Sequence, residues 1–339
     1  MVRTNVYAAK AGGALTLVTG LGPVLFLGAG TWWVWRGEAT LGTVVAFLTF
    51  LRYLYGPTQQ LILTRLSLER ARVAAARVFE LLDLPPEPEA GISLTLSRPT
   101  LALKDVHFAY PNGKTALQGV SLQLKPGEWV ALVGAVGSGK STLLALLVRL
   151  FPLGHGRILL DGEDVRNLAL SELRKEVLLV PQEGFLFSGT VWDNLVLGKE
   201  RLSEEEVWRV CRALGAEEFL RGLPEGLRTA VGERGAKLSG GQRQLLALVR
   251  AALRQPKVLL LDEATSAMDA EAEARALAGL RQLLPGTAVL LVAHRLSTVR
   301  AADRIVVLRE GRVVQEGRFE DLIQAPGEFH DLFAPQRDH

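Results

Sequence analysis

A glycine-rich segment near the middle of the chain has residue types that bind phosphate. Residues 134–142 read Gly-Ala-Val-Gly-Ser-Gly-Lys-Ser-Thr, directly after the apolar residues 129–133 and directly before the leucine-rich residues 143–147. This order of strand, glycine loop and helix is the context that a P-loop requires. In such a loop, backbone N–H groups surround the phosphates, the lysine neutralises them and the following serine offers its hydroxyl to Mg²⁺. The predicted phosphate-binding residues are Gly134, Gly137, Ser138, Gly139, Lys140, Ser141 and Thr142.

Two carboxylates follow a second apolar run. Residues 258–261 are Val-Leu-Leu-Leu, and Asp262 and Glu263 come next. One carboxylate could hold Mg²⁺, directly or through water, while the other polarises an attacking water molecule. An acidic pair after a buried strand could instead be charges at a helix N-terminus. The P-loop in the same chain favours the catalytic interpretation.

A second candidate for phosphate binding lies between these two motifs. Residues 238–242 read Leu-Ser-Gly-Gly-Gln at the start of a predicted helix, with a serine hydroxyl and two glycine N–H groups available. Alone, the segment could be a helix N-cap followed by flexible glycines. Its position after a P-loop and before the acidic pair makes phosphate binding the more specific interpretation.

The elements that would position these residues are those of an α/β domain. Five short runs have a β-like composition and alternate with helical segments, as in a mostly parallel sheet. These runs are residues 129–133, 177–180, 258–261, 288–292 and 305–308. Upstream of them, a stretch rich in proline and glutamate within residues 83–98 is typical of a linker.

The N-terminal residues are the most apolar part of the chain. Residues 11–35 contain no charged residue and no histidine, and about 20 apolar residues suffice to cross a hydrocarbon core as a helix. Residues 39–63 form a second apolar run, which only Arg52 interrupts. Basic residues flank both runs on the side away from the turn, which predicts a hairpin of two membrane spans with both ends in the cytoplasm. We expect the second helix to continue towards Leu82.

The composition excludes some classes of function. The 39 Lys and Arg residues nearly balance the 36 Asp and Glu residues, so the net charge of +3 provides no basic footprint for nucleic acid. We therefore expect no nucleic-acid partner. The single cysteine excludes an intrachain disulfide and a zinc cluster built from cysteines.

Together these motifs resemble the ATP-binding cassette (ABC) transporters, and the resemblance covers essentially the whole chain. It implies an α/β P-loop NTPase fold with a parallel-sheet core, an antiparallel β subdomain and a helical subdomain, preceded by an α-helical transmembrane hairpin. The hairpin and its cytoplasmic helix extension would occupy residues 1–82, the linker residues 83–98 and the nucleotide-binding domain residues 99–339.

The resemblance implies roles for the residues of the site. Glu263 is similar to the catalytic carboxylate, Gln182 to the glutamine that senses Mg²⁺, and His294 to the histidine that reaches the γ-phosphate. The implied catalytic residues are Glu263, His294, Lys140 and Gln182, and the implied metal ligands are Ser141, Gln182 and Asp262.

Further contacts with ATP follow from the same resemblance. Tyr110 is similar to the aromatic residue that stacks on adenine, and Asp269 to the aspartate of the D-loop, where Met268 stands in place of a commoner leucine or valine. The signature segment would contribute Ser239, Gly240, Gly241 and Gln242. The implied cofactors are ATP and Mg²⁺.

Within the family, residues 231–235 and the fused membrane region are similar to multidrug and lipid exporters. The two predicted spans would be the last two of six, so we expect the first four to be missing. In this family the signature of one chain completes the ATP site of another, which implies a second half-transporter chain, identical or different. Membrane lipid and an unidentified substrate are the other implied partners, and the chain would be a multi-pass cell-membrane protein with a cytoplasmic nucleotide-binding domain.

The sequence is compatible with three functions. The chain could power export together with a partner, or it could be a truncated ABC ATPase subunit that does not transport. A non-transport ABC ATPase is the third function. Only the first two account for the apolar residues 11–35.

Overall fold

The computed structural model describes residues 20–87, 89, 91–93, 99–199 and 201–333. The chain forms two compact units, Met1–Pro86 and Glu87–His339. Residues 11–19 of the first predicted membrane span lie outside the described residues, as do residues 88, 90 and 94–98 of the predicted linker.

A helical hairpin forms the first unit. Residues 20–35 are helical (α1), and α2 comprises the 42 residues Leu41–Leu82. The two helices pack closely at Gly30, where an added Cβ atom would lie 2.9 Å from Cγ1 of Val44. The second helix ends at Leu82, as the apolar pattern predicts.

Many apolar side chains of this hairpin are exposed. Trp35 is 82% exposed and Phe50 is 71% exposed, whereas Val44 is buried. Among the described residues, no helix combines the length and the apolar character that crossing a membrane requires. The structure therefore does not show the two predicted membrane spans.

The second unit is an α/β domain. In chain order its elements are β1 (Leu101–Ala109), β2 (Thr115–Leu124), β3 (Trp129–Val133), α3 (Lys140–Leu147), β4 (His155–Leu160), β5 (Glu163–Asp164), α4 (Leu170–Glu176), β6 (Val177–Val180), α5 (Val191–Val196), α6 (Glu204–Ala213), α7 (Glu217–Arg221), α8 (Gly240–Arg254), β7 (Val258–Asp262), α9 (Ala270–Leu283), β8 (Ala288–Val292), α10 (Leu296–Arg300), β9 (Arg304–Arg309), β10 (Arg312–Gly317), α11 (Phe319–Gln324) and α12 (Glu328–Phe333). Two 3₁₀ turns, Gly226–Arg228 and Glu233–Gly235, lie between α7 and α8.

A six-stranded sheet forms the centre of this domain. Its strand order is β10-β9-β3-β8-β7-β6, and β3 pairs in parallel with both β8 and β9. Strands β3 and β8 are buried at every position, which explains why their sequences are continuous apolar runs and do not alternate. All five runs predicted as strands lie in this sheet, and β10 joins them as an antiparallel edge strand.

Successive side chains of the central sheet enter two different hydrophobic clusters. One face packs with α3 and with a four-stranded antiparallel sheet of order β2-β1-β4-β5. The other face packs with α6, α8 and α9. This arrangement confirms the predicted α/β P-loop fold with its parallel core and its antiparallel sheet.

The start of the second unit lies within the predicted linker. Glu87 accepts hydrogen bonds from Nη1 and Nη2 of Arg174 at 2.7 and 2.9 Å, and these bonds lower the pKa of the Glu87 carboxyl. Ile92 forms an isolated bridge with Leu168. The three predicted segments, 1–82, 83–98 and 99–339, stay a prediction.

Candidate functional site

The P-loop joins β3 to α3, and its conformation depends on glycine. Gly139 is the N-cap residue of α3 and has a φ of +107°. A Cβ atom at this position would lie 2.6 Å from the carbonyl oxygen of Ala116. Both the positive φ and the close approach therefore exclude a larger residue. The loop ends at a helix N-terminus, where backbone N–H groups favour an anion.

Lys140 is buried beneath this loop. Its Nζ donates hydrogen bonds to the carbonyl oxygens of Gly134 at 2.8 Å and Ala135 at 2.9 Å. Burial lowers the pKa of Lys140, while the negative charges of Glu263 and Asp262 oppose this shift. The ammonium group is thus held in place by its own loop, close to the acidic end of β7.

A pocket of about 260 Å³ lies beside the P-loop. Tyr110 lines it, and the hydroxyl of Tyr110 forms a 2.9 Å hydrogen bond with Oγ1 of Thr142. The ring of Tyr110 packs edge-on against Phe108 and Phe151, with centroid distances of 5.1 and 5.4 Å. The lining residues are Tyr110, Lys114, Thr115, Ala116, Val136, Gly137, Gly139, Lys140, Ser141, Thr142, Glu263 and His294.

Ser141 and Asp262 present two oxygen ligands next to each other. The Ser141 hydroxyl donates a hydrogen bond to Oδ1 of Asp262 at 3.1 Å. Burial raises the pKa of Asp262, and the hydrogen bond from Ser141 opposes this effect. Hydroxyl and carboxylate oxygens are hard ligands of the kind that Mg²⁺ selects, so the pair fits that ion.

Glu263 contacts two other predicted residues of the site. Its Oε2 accepts a hydrogen bond from Nε2 of Gln182 at 2.9 Å, and its Oε1 lies 2.7 Å from Nε2 of His294. These three residues follow β6, β7 and β8, and the carboxyl ends of neighbouring parallel strands meet at one edge of a sheet. Glu263 has a φ of +48°, a left-handed conformation that is uncommon for glutamate.

The signature segment forms a helix cap. Ser239 is the N-cap of α8: its Oγ accepts a hydrogen bond from the N–H of Gln242 at 3.2 Å, and its own N–H donates to Oε1 of Gln242 at 2.9 Å. Among the described residues, the lining of the pocket beside the P-loop includes none of residues 238–242. The structure thus does not bring the signature to the P-loop of the same chain.

The D-loop packs against the signature. A Cβ atom added to Gly241 would lie 2.9 Å from the carbonyl oxygen of Ala267, and one added to Gly240 would lie 3.2 Å from the Ala267 methyl group. Asp269 caps α9, accepting a hydrogen bond from the N–H of Ala272 at 2.8 Å. This cap gives Asp269 a structural role in addition to the predicted one.

Gln244 links three parts of the site, and the sequence reasoning did not identify it. It is buried, and its Nε2 donates to the carbonyl oxygen of Gln182 at 2.8 Å and to Oγ of Ser266 at 3.1 Å. Its Oε1 accepts from the N–H of Ala267 at 2.8 Å. Gln244 lies on the same face of α8 as Leu248, four residues later. A polar residue on an otherwise apolar helix face is the sequence feature that could have identified it.

Glu273 is a second residue that the sequence reasoning did not identify. It is buried on α9, and its Oε1 accepts hydrogen bonds from the hydroxyls of Thr265 and Thr298, each at 2.6 Å. Its Oε2 accepts from Nη1 of Arg295 at 2.6 Å. Because Arg295 follows His294, this network connects α9 to the segment that carries the histidine.

The chain is similar to known proteins over most of its length. Residues 117–266 match the family described as "ABC transporter". The chain is 43% identical over 303 residues to an "ATP-dependent lipid A-core flippase" of Chromobacterium violaceum, covering 89% of this chain and 52% of that protein. It is 38% identical over 340 residues to the "Putative multidrug export ATP-binding/permease protein YgaD" of Bacillus subtilis, covering 99% of this chain and 58% of that protein.

A solved structure shows the same fold. The structure of a bacterial Atm1-family ABC exporter with ATP bound superposes with a TM-score of 0.73 at 33% identity, covering 99% of this chain and 60% of that one. The chain thus spans little more than half the length of the proteins it matches. The motif order, the fold and these similarities establish that the chain contains the nucleotide-binding domain of the ABC transporter family.

Proposed function

We propose that this chain binds ATP with Mg²⁺ and hydrolyses it to drive the export of a substrate across a membrane. One observation carries the proposal: Lys140, Glu263 and His294 line a single pocket beside the P-loop, next to the Ser141 and Asp262 pair. The similarity to proteins named as a lipid A-core flippase and a multidrug exporter supports export as the process that hydrolysis drives.

The residues of the pocket fit an adenine nucleotide. The P-loop N–H groups and Lys140 would hold the phosphates, and the Tyr110 ring would stack on the base. Ser141 and Asp262 would hold Mg²⁺, with Gln182 nearby through its contact with Glu263. When bound, Mg²⁺ neutralises charge on the phosphate oxygens.

Glu263 would orient the attacking water. In the structure both of its carboxylate oxygens are engaged, one by Gln182 and one by His294. Because each carboxylate oxygen can accept more than one hydrogen bond, Glu263 could accept a further one from water, while Gln182 and His294 would hold the carboxylate in position. Lys140 and His294 would then stabilise the negative charge that develops on the transferred phosphoryl group.

A second chain would complete the site. Ser239 and the N-terminus of α8 offer an anion site, and none of the described signature residues lines the pocket of the same chain. A head-to-tail pair of chains, identical or different, would bring this helix end to the γ-phosphate. ATP would stabilise the closed pair, and hydrolysis would reopen it.

The helical hairpin would be the membrane part of the protein. Its exposed apolar side chains, such as Trp35 and Phe50, suit contact with lipid or with further helices of the assembly. We place the nucleotide-binding domain in the cytoplasm, on the basis of the basic residues that flank the apolar runs.

The change Glu263→Gln tests this function. We expect the full-length variant to lose ATP hydrolysis by about 100-fold or more, since the amide cannot act as a base, and to retain ATP binding and the closed pair. Release of phosphate measures the loss of hydrolysis, and binding of a fluorescent ATP analogue measures the retained ATP binding.

Glu217→Gln is the matched control. Glu217 lies on α7 and pairs with Arg212 at 2.7 Å and Arg221 at 3.0 Å. The same chemical change there should leave hydrolysis unaltered. Wild-type turnover in Glu263→Gln would remove Glu263 from its proposed role.

A further inference from the structure

Two histidines and an aspartate converge on the antiparallel sheet. Asp105 and His107 lie on β1, His155 begins β4, and all three side chains are exposed. One potential ligand atom from each residue lies within 4.8 Å of the other two. None of the three lines the pocket beside the P-loop, and ATP hydrolysis as proposed above does not use them.

The carboxylate of Asp105 lies between the two imidazoles. Its Oδ1 is 2.9 Å from Nε2 of His107, and its Oδ2 is 3.8 Å from Nδ1 of His155. The two imidazole rings meet edge to face, with centroids 5.4 Å apart and an interplanar angle of 81°. The cluster therefore has one carboxylate with an imidazole nitrogen near each of its two oxygens.

An irregularity in β1 orients Asp105. Between Lys104 and His107, the register of β1 against β4 shifts, and Asp105 has a φ of +49°. Its N–H donates a hydrogen bond to Oγ of Ser121 on β2 at 3.0 Å. Such a bulge redirects a side chain relative to a regular strand. In a regular strand, the aspartate would not have this backbone conformation beside His107 of the same strand and His155 of β4.

A glycine keeps the space beside two of the donor atoms open. A Cβ atom added to Gly119 on β2 would lie 3.1 Å from Oδ1 of Asp105 and 3.4 Å from Nε2 of His107. A larger residue there would crowd the atoms that face each other in the cluster. The donor atoms are thus accessible both to solvent and to a small ion.

We propose that Asp105, His107 and His155 bind a divalent late transition-metal ion, for which Zn²⁺ is the representative. Two imidazole nitrogens and one carboxylate oxygen, with a water in the fourth position, form a ligand set typical of zinc. Mg²⁺ and Ca²⁺ prefer oxygen ligands alone, so this site would select a different ion from the pair of Ser141 and Asp262.

The geometry requires only small side-chain movements. Ligand atoms bonded to one tetrahedral Zn²⁺ at about 2.0 to 2.1 Å lie about 3.3 Å apart. The ligand atoms lie within 4.8 Å of one another, and all three side chains are exposed, so rotation of the imidazoles would bring them to this spacing. The bound ion would join β1 to β4, the two inner strands of the antiparallel sheet.

Titration of the full-length, metal-free protein with ZnCl₂ in the absence of nucleotide tests this proposal. Isothermal titration calorimetry should detect one site per chain that is weakened at least about tenfold in the double variant His107→Ala with His155→Ala. Since both side chains are exposed, the variant should keep the circular dichroism spectrum and the ATP binding of the wild type.

His330→Ala is the control variant. His330 is also partly exposed beside a carboxylate, with Nδ1 3.6 Å from Oδ1 of Asp331, but this pair offers only two ligands. Loss of the His330 imidazole should leave zinc binding unchanged. Equal zinc affinity in the wild type and the double variant would overturn the proposal, as would the absence of zinc binding by the wild type.

Discussion

At the scale of single residues, the chemistry of Glu263 comes from its surroundings. Its left-handed backbone, with a φ of +48°, costs roughly 1 to 2 kcal/mol for a residue other than glycine. Gln182 and His294 hold its two carboxylate oxygens. The sequence could predict an acidic residue after a buried strand, but not these two contacts, because they join segments that are distant in the chain.

Isolated buried polar residues were harder to predict than residues of a short sequence motif. Gln244 and Glu273 belong to no short motif of the kind that marks the P-loop. Their importance is visible only once hydroxyls and amides from other elements surround them, as Thr265 and Thr298 surround Glu273. A polar residue on an apolar helix face indicates from the sequence that such a residue is buried, but it does not identify the hydrogen-bond partners.

The substitution Glu273→Ala should destabilise the nucleotide-binding domain by about 2 to 4 kcal/mol. The change leaves two threonine hydroxyls and the guanidinium of Arg295 without their carboxylate partner. Urea unfolding followed by circular dichroism measures the free energy of unfolding.

Glu271→Ala provides the control on the same helix. Glu271 is 84% exposed at its side chain and forms an ion pair with Arg275, one turn away. Since exposed ion pairs contribute little, its removal should change stability far less. Equal destabilisation by the two variants would show that the buried network is not responsible.

At the scale of elements, strands of the central sheet were predictable because both of their faces are buried. Strands β3 and β8 are continuous apolar runs, and the predicted bounds agree with the observed ones. In β1 the alternation of exposed and buried residues is broken where two neighbours, Lys104 and Asp105, are both exposed. The bulge thus interrupts the alternation of apolar and polar residues from which a half-exposed strand is predicted.

The N-cap of α8 combines a structural and a functional role, and these can be separated. Replacing Ser239 with alanine removes a capping box and should cost about 1 kcal/mol of stability. It should also lower ATP hydrolysis, since the hydroxyl would bind the γ-phosphate in a pair of chains. Thermal unfolding and phosphate release measure the two effects.

Ser203→Ala controls for the loss of the cap. Ser203 caps α6 with the same capping box, in which Glu206 takes the place of Gln242. This variant should lose a similar amount of stability and keep wild-type hydrolysis. If both variants lose hydrolysis equally, the serine of the signature acts through stability alone.

At the scale of the whole molecule, the chain contains one nucleotide-binding domain, and its pocket includes none of the described signature residues. The order of motifs predicted this domain, because the P-loop, signature and acidic strand end each have a distinctive composition. The separation of the signature from the P-loop of the same chain was implied by the family resemblance and not by the motifs themselves, because it depends on how α8 packs against the sheet. The two predicted membrane spans also depend on more than local composition, since packing with further helices decides how apolar faces are covered.

In the proposed pair, two chains share each ATP site, and one measurement tests this sharing directly. A full-length chain carrying Lys140→Ala and another carrying Ser239→Glu are co-expressed with different tags, and pairs containing both are purified. In such a pair, one site has both changes and the other has an intact P-loop facing an intact signature. We expect the pair to hydrolyse ATP at up to about half the wild-type rate, while each variant alone is inactive. If each site lay within one chain, every site in the pair would be defective, so a pair as inactive as the single variants would show that the sites are not shared.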